Sequence, residues 1–248
     1  MRDRAAPWLV DIDLGLGDDS EDVVYAFPQA GAGAAAVRPL CADLGWPAAT
    51  AAVRLPGREA RLDEAPLTDL AMLSDGACEA IVAHARGRRV TLLGHCSGAV
   101  IAFEVARRLD PSCLSRLVVS AHCSPSDIVR RGVWRWPTPK LVDLVSCEGR
   151  IPAEVMADDE LLELVVPAIR ADYQALETYQ VDEGAAVDAD VIAVVGYEDH
   201  LLSAEQLRGW SRHARGRFTV HVVPGPHDLL HTHHREVSTV VRRESGWW

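Results

Sequence analysis

Short apolar runs bounded by glycine, proline and polar residues recur along the chain and predict β-strands. These runs cover Asp22–Phe27, Thr50–Leu55, Val90–Leu93, Arg116–Ala121, Asp190–Val195 and Phe218–Val223. Between several of them, apolar residues recur at helical spacing, as in the segment that begins at Thr68-Asp69, a pair typical of a helix start. Strands that alternate with helices predict an α/β fold with a mostly parallel sheet covered by helices. Residues 1–20 are polar and acidic, and they are predicted to form a loosely held arm.

The alternation of strands and helices breaks between about residues 126 and 179, where no strand-like run occurs. An amphipathic helix is predicted there from Asp159 to Tyr173. The apolar residues on its face are Leu161, Leu162, Val165 and Ile169. We interpret the segment as a helical lid insertion over the active-site face, with ordinary crossover helices as the alternative. The whole chain, residues 1–248, is then a single domain with its core at about 21–125 and 180–248.

The composition limits the classes of partner and location. The chain has 248 residues, a hydrophobic content of 48% and a formal net charge of −11. Such an acidic balance argues against nucleic acid and against anionic membrane as partners. No 18-residue apolar run and no signal-peptide pattern are visible, and the six cysteines form no C-x-x-C pair and no metal-ligand spacing. The sequence therefore predicts a cytoplasmic protein with free thiols and no bound metal.

A candidate nucleophile follows the third predicted strand. The apolar run Val90–Leu93 leads into Gly94-His95-Cys96-Ser97-Gly98, and a helix-forming segment begins at once at Ala99. This arrangement is typical of a nucleophile elbow, G-x-S-x-G, with Cys96 in the central place. The glycines leave room for the neighbouring strand and helix, and the helix N-terminus favours a thiolate at Cys96. A buried cysteine in an ordinary strand-to-helix turn is the alternative.

The remaining members of a catalytic triad are expected in two loops that follow strands. His227 follows the last predicted strand and is the candidate base, while Asp199 follows the preceding strand and is the candidate orienting acid. Glu198 competes with Asp199 for this role. The histidines that compete with His227 lie in the next helical segment: His231, His233 and His234. They could suggest a metal site, but no second ligand cluster accompanies them, which makes this reading unfavourable.

The oxyanion of an acyl-transfer reaction needs backbone donors near the nucleophile. Ser97 is the wrong residue for the nucleophile, because it lies one position past the apex, but its backbone N–H is the expected first donor. The second donor is expected from Gln29 or Ala30, in the small-residue turn after the first strand. That turn lacks the G-x-x-x-x-G-K-[ST] pattern of a phosphate-binding loop.

Several motifs in order resemble one family. They are YAFPQAGAG, RLPGREARL with PLTDL, LLGHCSGAVIAFEVARRL, VVSAHCSP, DDELLELVVPAIRADYQALETY, GYEDHLLS and VPGPHDLL. Over about residues 22–230 the chain resembles the stand-alone (type II) thioesterases of nonribosomal-peptide and polyketide assembly lines. The resemblance implies an α/β-hydrolase fold, a lid and a Ser-Asp-His triad. It also implies acyl thioesters on the phosphopantetheine arm of an acyl or peptidyl carrier protein as substrates, with no cofactor beyond that arm.

Cys96 departs from the family, which usually has serine at this position. A cysteine forms a thioester intermediate, which can pass to a second thiol as readily as to water, so both editing hydrolysis and acyl transfer between carriers are open. We favour the thioesterase because most of the matched motifs belong to it. An inactive hydrolase fold that serves as a binding module is a further alternative, and an engineered Ser→Cys replacement would give the same sequence.

A basic run at the start of the proposed lid is the candidate carrier-binding surface. The segment Ile128–Val142 holds several cations and no acidic residue, in a chain that is acidic as a whole. Its candidate binding residues are Arg130, Arg131, Trp134, Arg135 and Trp136. The tryptophans are candidates for the acyl pocket, although tryptophan is as often a packing residue. A solvated loop is the alternative for the arginines.

Overall fold

The sheet of this protein is mostly parallel, as the alternation of strands and helices predicts. The computed structural model describes residues 7–12, 20–147 and 153–247. Within them seven strands form one sheet in the order β1-β3-β2-β4-β5-β6-β7, with β1 antiparallel and the others parallel. The strands are β1 Leu9–Asp11, β2 Asp22–Phe27, β3 Ala48–Val53, β4 Arg89–His95, β5 Leu114–Ser120, β6 Asp190–Gly196 and β7 Phe218–Val223. The prediction of an α/β-hydrolase fold is confirmed.

Helices lie between these strands and after the last of them. They are α1 Arg38–Leu44, α2 Leu70–Ala85, α3 Ser97–Ala106, α4 Thr138–Cys147, α5 Ala153–Met156, α6 Asp159–Thr178, α7 Ala204–Leu207, α8 Leu229–Thr232 and α9 His234–Ser245. The predicted start of α2 is confirmed, because Asp69 Oδ1 accepts hydrogen bonds from the backbone N–H groups of Ala71 at 2.8 Å and Met72 at 3.1 Å. No helix of the described residues is long and apolar enough to cross a membrane.

The centre of the sheet is buried on both faces because its central strands are mostly apolar. Tyr25 and Phe27 of β2 belong to the larger apolar cluster, which includes residues of α2 and α3. Val24 and Ala26 belong to a second cluster, formed with residues of α1 and α9. Successive residues of a strand point to opposite faces, so one short apolar run supplies both layers.

The proposed arm contains a strand. Residues 9–11 pair with β3 in antiparallel fashion, with Leu9 opposite Val53 and Asp11 opposite Ala51. Three residues are too few to show an alternating pattern, which is why the sequence did not predict this edge strand. Residues 1–6 and 13–19 of the arm lie outside the described residues.

A third apolar cluster lies in the segment that was interpreted as a lid. It joins Val133, Leu141 and the α6 residues Val166, Ile169 and Tyr173 with Ala30 of the loop after β2. Of the predicted apolar face of α6, Ile169 is buried and Leu162 and Val165 pack against this cluster, whereas Leu161 is 39% exposed. The helix also runs beyond the predicted end, to Thr178. The role of this segment as a lid stays a prediction.

Candidate active site

Cys96 lies at a strained turn between β4 and α3. Its φ and ψ angles are +50° and −126°, in a region that residues with a side chain rarely adopt. Two hydrogen bonds hold the turn: the Cys96 N–H donates to the Ser120 carbonyl at 2.8 Å, and the Ala99 N–H donates to the Cys96 carbonyl at 3.0 Å. Such a conformation is typical of a nucleophile elbow. Cys96 is 3% exposed and lies in a cavity wall.

The two glycines of the elbow lie where a side chain has no room. A Cβ on Gly94 would lie 2.4 Å from Ala99 Cα, and one on Gly98 would lie 2.4 Å from the carbonyl oxygen of Phe27. Phe27 ends β2 and precedes the loop that contains Gln29 and Ala30. The steric requirement predicted for both glycines therefore holds, and it brings the start of α3 against that loop.

His227 and Asp199 lie in hydrogen-bond contact. His227 Nδ1 is 2.9 Å from Asp199 Oδ2, and the Asp199 side chain is fully buried. The other carboxylate oxygen, Oδ1, accepts the backbone N–H groups of Leu201 at 2.8 Å and Leu202 at 3.1 Å. Because a carboxylate oxygen accepts, the neutral imidazole that pairs with it carries its proton on Nδ1 and its lone pair on Nε2.

One cavity of about 770 Å³ brings the predicted residues together. Its wall includes Cys96, Ser97, Ala30 and His227, and Asp199 contacts His227 from outside the wall. The predicted nucleophile, base and first oxyanion donor therefore share one space. Ala30 is the candidate for the second donor that lies in the same wall. Their catalytic roles stay predictions.

The competing residues lie elsewhere. Glu198 is exposed, and it is not among the residues of the cavity wall. Gln29 is buried but also lies outside that wall. Of the later histidines, His234 contacts Asp43, and His233 Nδ1 lies 3.0 Å from Thr232 Oγ1. Across the described part of the chain, no group of three or more histidine, cysteine or acidic side chains is arranged to hold a metal ion.

A second thiol lies in the wall of the cavity. Burial raises the pKa of the Cys123 thiol to about 11, and the carboxylate of Asp127 acts in the same direction. A thiol with this pKa is almost entirely protonated near neutral pH, whereas the thiolate is the nucleophilic form. Cys123 is therefore a poor competitor for Cys96.

The three arginines of the basic run are exposed but differ in position. Arg131 lies in the cavity wall, whereas Arg130 donates to the Tyr179 carbonyl at 2.7 Å. The Arg135 guanidinium stacks 4.4 Å from the ring centre of Trp134. Neither Trp134 nor Trp136 lies in the cavity wall, because both pack against the third apolar cluster. Carrier binding by these residues stays a prediction.

Sequence reasoning missed a buried ion pair beside the site. The Arg58 guanidinium binds the Asp172 carboxylate through two bonds of 2.7 and 2.9 Å, and Asp172 lies in the cavity wall. A charged residue inside an apolar helix face, as Asp172 is in α6, was the available signal. Without a structure, nothing in the sequence indicated its partner.

A family model described as "Thioesterase domain" matches residues 23–244. The chain belongs to the thioesterase family. It is 30% identical to the type II thioesterase BorB from the borrelidin biosynthetic cluster, with a TM-score of 0.84, covering 95% of this chain and 96% of that one. It is 25% identical to the thioesterase RedJ from the prodiginine pathway of Streptomyces coelicolor, with a TM-score of 0.85 and 91% of both chains covered.

Curated relatives include longer proteins. The chain is 34% identical to the phenyloxazoline synthase MbtB of Mycobacterium tuberculosis over 95% of its own length, but it spans only 16% of that protein. It is 29% identical to a probable cadicidin biosynthesis thioesterase of Streptomyces griseus, covering 96% of this chain and 66% of the relative. The predictions of a thioester-hydrolysing enzyme and of a type II thioesterase-like chain are confirmed at the level of the family. The role of Cys96 in place of serine stays a prediction.

Proposed function

We propose that this chain hydrolyses acyl or aminoacyl thioesters from the phosphopantetheine arm of carrier proteins, through an acyl-enzyme on Cys96. The observation that carries the proposal is the His227–Asp199 pair, which meets Cys96 at one cavity. Relatives named for the biosynthesis of cadicidin, borrelidin and prodiginine support a role in natural-product biosynthesis.

In the first half of the reaction, the Cys96 sulfur attacks the thioester carbonyl carbon and the thiol proton passes to His227 Nε2. The Ser97 N–H and the N–H of Ala30 or Gln29 donate to the oxygen that becomes negative. The bond from carbon to the pantetheine sulfur then breaks. The leaving sulfur takes the proton from His227, which gives the free carrier thiol and an acyl-Cys96 thioester.

In the second half, water attacks the acyl-Cys96 carbonyl and gives one proton to His227. The carbon–sulfur bond to Cys96 breaks, and the sulfur takes that proton back. The products are a carboxylic acid and the starting thiol. The proposed cycle needs protein groups and water alone, with Asp199 holding the imidazole in the productive tautomer throughout.

Transfer to a second thiol is the second candidate, and the identity of Cys96 favours it. Acylation of a cysteine exchanges one thioester for another, so little free energy is lost. A second carrier thiol can then attack acyl-Cys96 in place of water, with His227 taking its proton. A serine at this position would instead form a more stable oxyester, from which return to a thiol is uphill.

The carrier is proposed to dock on the basic run that includes Arg130, Arg131 and Arg135. These arginines are exposed on a chain of net charge −11, and Arg131 lies at the cavity wall. Trp134 and Trp136 stack with neighbouring cations and give this surface its aromatic part. A phosphate on the carrier arm offers an anion for such cations, and complementary charge speeds encounter.

Intact-mass analysis of an acylated carrier incubated with this protein tests the proposal. Hydrolysis predicts loss of the acyl mass from the carrier and a free acid. When an unloaded second carrier is added, transfer predicts that the acyl mass appears on it. Both activities would be overturned if the carrier kept its acyl group in both mixtures and the Cys96→Ala protein gave the same result.

A further inference from the structure

We propose that the Arg58–Asp172 pair positions the oxyanion loop, residues 28–33, from the lid helix α6. The inference rests on the proposed function, because it assigns a role to the loop that contains the second oxyanion donor. Asp172 belongs to α6, and Arg58 belongs to the loop after β3. The pair therefore joins three separate segments of the chain at the cavity wall. Both residues act through the loop, as positioning residues.

The first contact is between α6 and the loop backbone. The Gly31 N–H donates to Asp172 Oδ2 at 2.7 Å. Gly31 has a φ of +75°, and a Cβ there would lie 2.2 Å from Ile169 Cγ1. The helix is thus seated on the loop with no space between them. Because Gly31 directly follows Ala30, this contact fixes the peptide next to the proposed donor.

The second contact runs through Arg58. Its Nη1 donates to Asp172 Oδ2 at 2.7 Å and to the Ala32 carbonyl at 3.2 Å, while Nη2 donates to Asp172 Oδ1 at 2.9 Å. Asp172 and Arg58 together therefore hold the loop on both sides of Gly31. One accepts an N–H from the loop, and the other donates to a loop carbonyl.

The burial of the pair favours a role beyond stability. The side chains of Arg58 and Asp172 are only 6% and 4% exposed. Removing two charges from water is costly, and a buried ion pair is often no more stabilising than apolar residues of the same volume. What such a pair supplies is a defined geometry, since the bidentate contact permits one relative orientation. A loop that must hold a backbone donor in place needs that property.

A consequence is that the seating of α6 and the completion of the oxyanion site are one event. Ala30 lies in the same apolar cluster as Ile169 and Tyr173 of α6. Ala30 and Asp172 also lie in the same cavity wall. If α6 moves away, the loop loses the Asp172 contact and its apolar support together, and the donor at residue 30 is released.

Two variants test this proposal, and only one of them leaves a buried charge without its partner. Asp172→Asn keeps the shape of the side chain, and the double variant Arg58→Gln/Asp172→Asn removes both charges. The matched control is Glu104→Gln, because Glu104 is also 6% exposed and bound by arginines but lies outside the cavity wall. Thermal unfolding of each variant verifies that it is folded.

Two probes separate positioning from general damage. A trifluoromethyl ketone analogue of an acyl pantetheine adds to the Cys96 sulfur and forms an oxyanion. Iodoacetamide alkylates the same sulfur, displacing iodide, and forms none. We expect the variants to lose about 10²-fold in ketone affinity and in kcat for a thioester, because one oxyanion donor is worth about that much. The rates at which iodoacetamide alkylates these variants should stay within about twofold of the parent protein's rate. For Glu104→Gln, the ketone affinity, the kcat and the alkylation rate should all stay within about twofold of the parent values.

The proposal is overturned if the folded variants bind the ketone as the parent does. It is also overturned if ketone affinity and alkylation rate fall together. Should Asp172→Asn fail to fold, the double variant carries the same comparison, and failure of both to fold makes the pair structural. A parent protein that binds the ketone but turns over no thioester would instead refute the proposed function and leave the ketone comparison intact.

Discussion

His227 Nδ1 lies 2.9 Å from Asp199 Oδ2, although the two residues are 28 positions apart in the chain. The contact depends on β6 and β7 being parallel neighbours, with Gly196 opposite Val223 at their ends. The loops after both strands therefore start at the same edge of the sheet. A Cβ on Gly196 would lie 2.0 Å from the Gly225 carbonyl oxygen, so the two loops approach as closely as backbone allows.

This pair predicts unequal losses. His227→Ala should lower the rate of Cys96 acylation by about 10²- to 10⁴-fold, the usual contribution of a general base. Asp199→Asn should cause a smaller loss, because a thiolate depends less on its base than an alkoxide does. Single-turnover acylation measures both. Glu198→Gln is the matched control and should leave the rate unchanged; a loss there and none at Asp199→Asn would move the orienting role to Glu198.

The second prediction concerns the covalent intermediate. A slowly hydrolysed acyl thioester should add its acyl mass to the peptide that contains Cys96, and Cys96→Ala should abolish this. Cys96→Ser should form an oxyester that water can release but that gives little acyl group to a second carrier. Peptide mass analysis after a short incubation measures the site. Acyl mass on Ser97, or turnover by Cys96→Ala, would contradict the assignment.

Most of the fold and the residues of the candidate triad could be predicted because their signals are local. The strands Asp22–Phe27 and Phe218–Val223 have the predicted bounds, and the other four predicted strands differ by a few residues at their ends. The elbow around Cys96 is recognisable since strand, glycines and helix follow one another directly. His227 and Asp199 follow from the general placement of chemistry at the carboxyl ends of parallel strands.

The parts that could not be predicted depend on contacts between distant segments. Arg58 and Asp172 are 114 positions apart, and no local pattern connects them. The predicted face of α6 is right at Ile169 and wrong at Leu161, because the residues that cover the helix, such as Ala30 and Val133, come from other segments. An apolar spacing identifies a helix, but which part of that helix is buried depends on what packs against it.

A third prediction follows from the reactivities of the thiols. Burial raises the pKa of Cys123 to about 11 and that of Cys41 to about 12, so neither should react with iodoacetamide near neutral pH. Exposed Cys147 should react freely. In a Cys147→Ser protein, labelling followed by peptide mapping should therefore find Cys96 as the dominant site. Rapid labelling of Cys123 would show that it competes as a nucleophile, and Cys123→Ser would then lower turnover.

The fourth prediction concerns the basic run. Replacing Arg130, Arg131 and Arg135 with glutamate should raise KM for an acylated carrier about tenfold or more, since charge complementarity steers such encounters. The control replaces Arg215 and Arg217 with glutamate; these are exposed arginines at the amino ends of β6 and β7, opposite the site. Steady-state kinetics on a carrier and on a small thioester without phosphate measures the effect.

The small thioester decides what the glutamate variant means. The glutamate variant should turn over this substrate nearly as well as the parent protein does, because the substrate has no acidic surface and no phosphate for the arginines to contact. Equal losses on both substrates would indicate a damaged lid. No loss on either would leave the three arginines as solvated surface residues, and an equal loss in the control would make the effect one of net charge.

The last prediction is a pH dependence of folding at His213. Its ring Nδ1 lies 2.7 Å from the Ala185 carbonyl oxygen and its Nε2 2.9 Å from Ser126 Oγ, so the neutral ring with its proton on Nδ1 satisfies both partners. Burial lowers the pKa of His213 below its usual 6.5. As the pH falls, the unfolded chain therefore takes up a proton at His213 at a higher pH than the folded chain does. The contribution of His213 to stability is present above about pH 6.5 and is lost as the pH falls through the folded pKa.

His213→Gln should lower the free energy of unfolding at neutral pH but flatten the decline of this free energy in acid, as measured by urea unfolding across this range. His200→Gln removes an exposed histidine and serves as the control; an equally steep acid decline in both variants would assign the pH dependence to other groups.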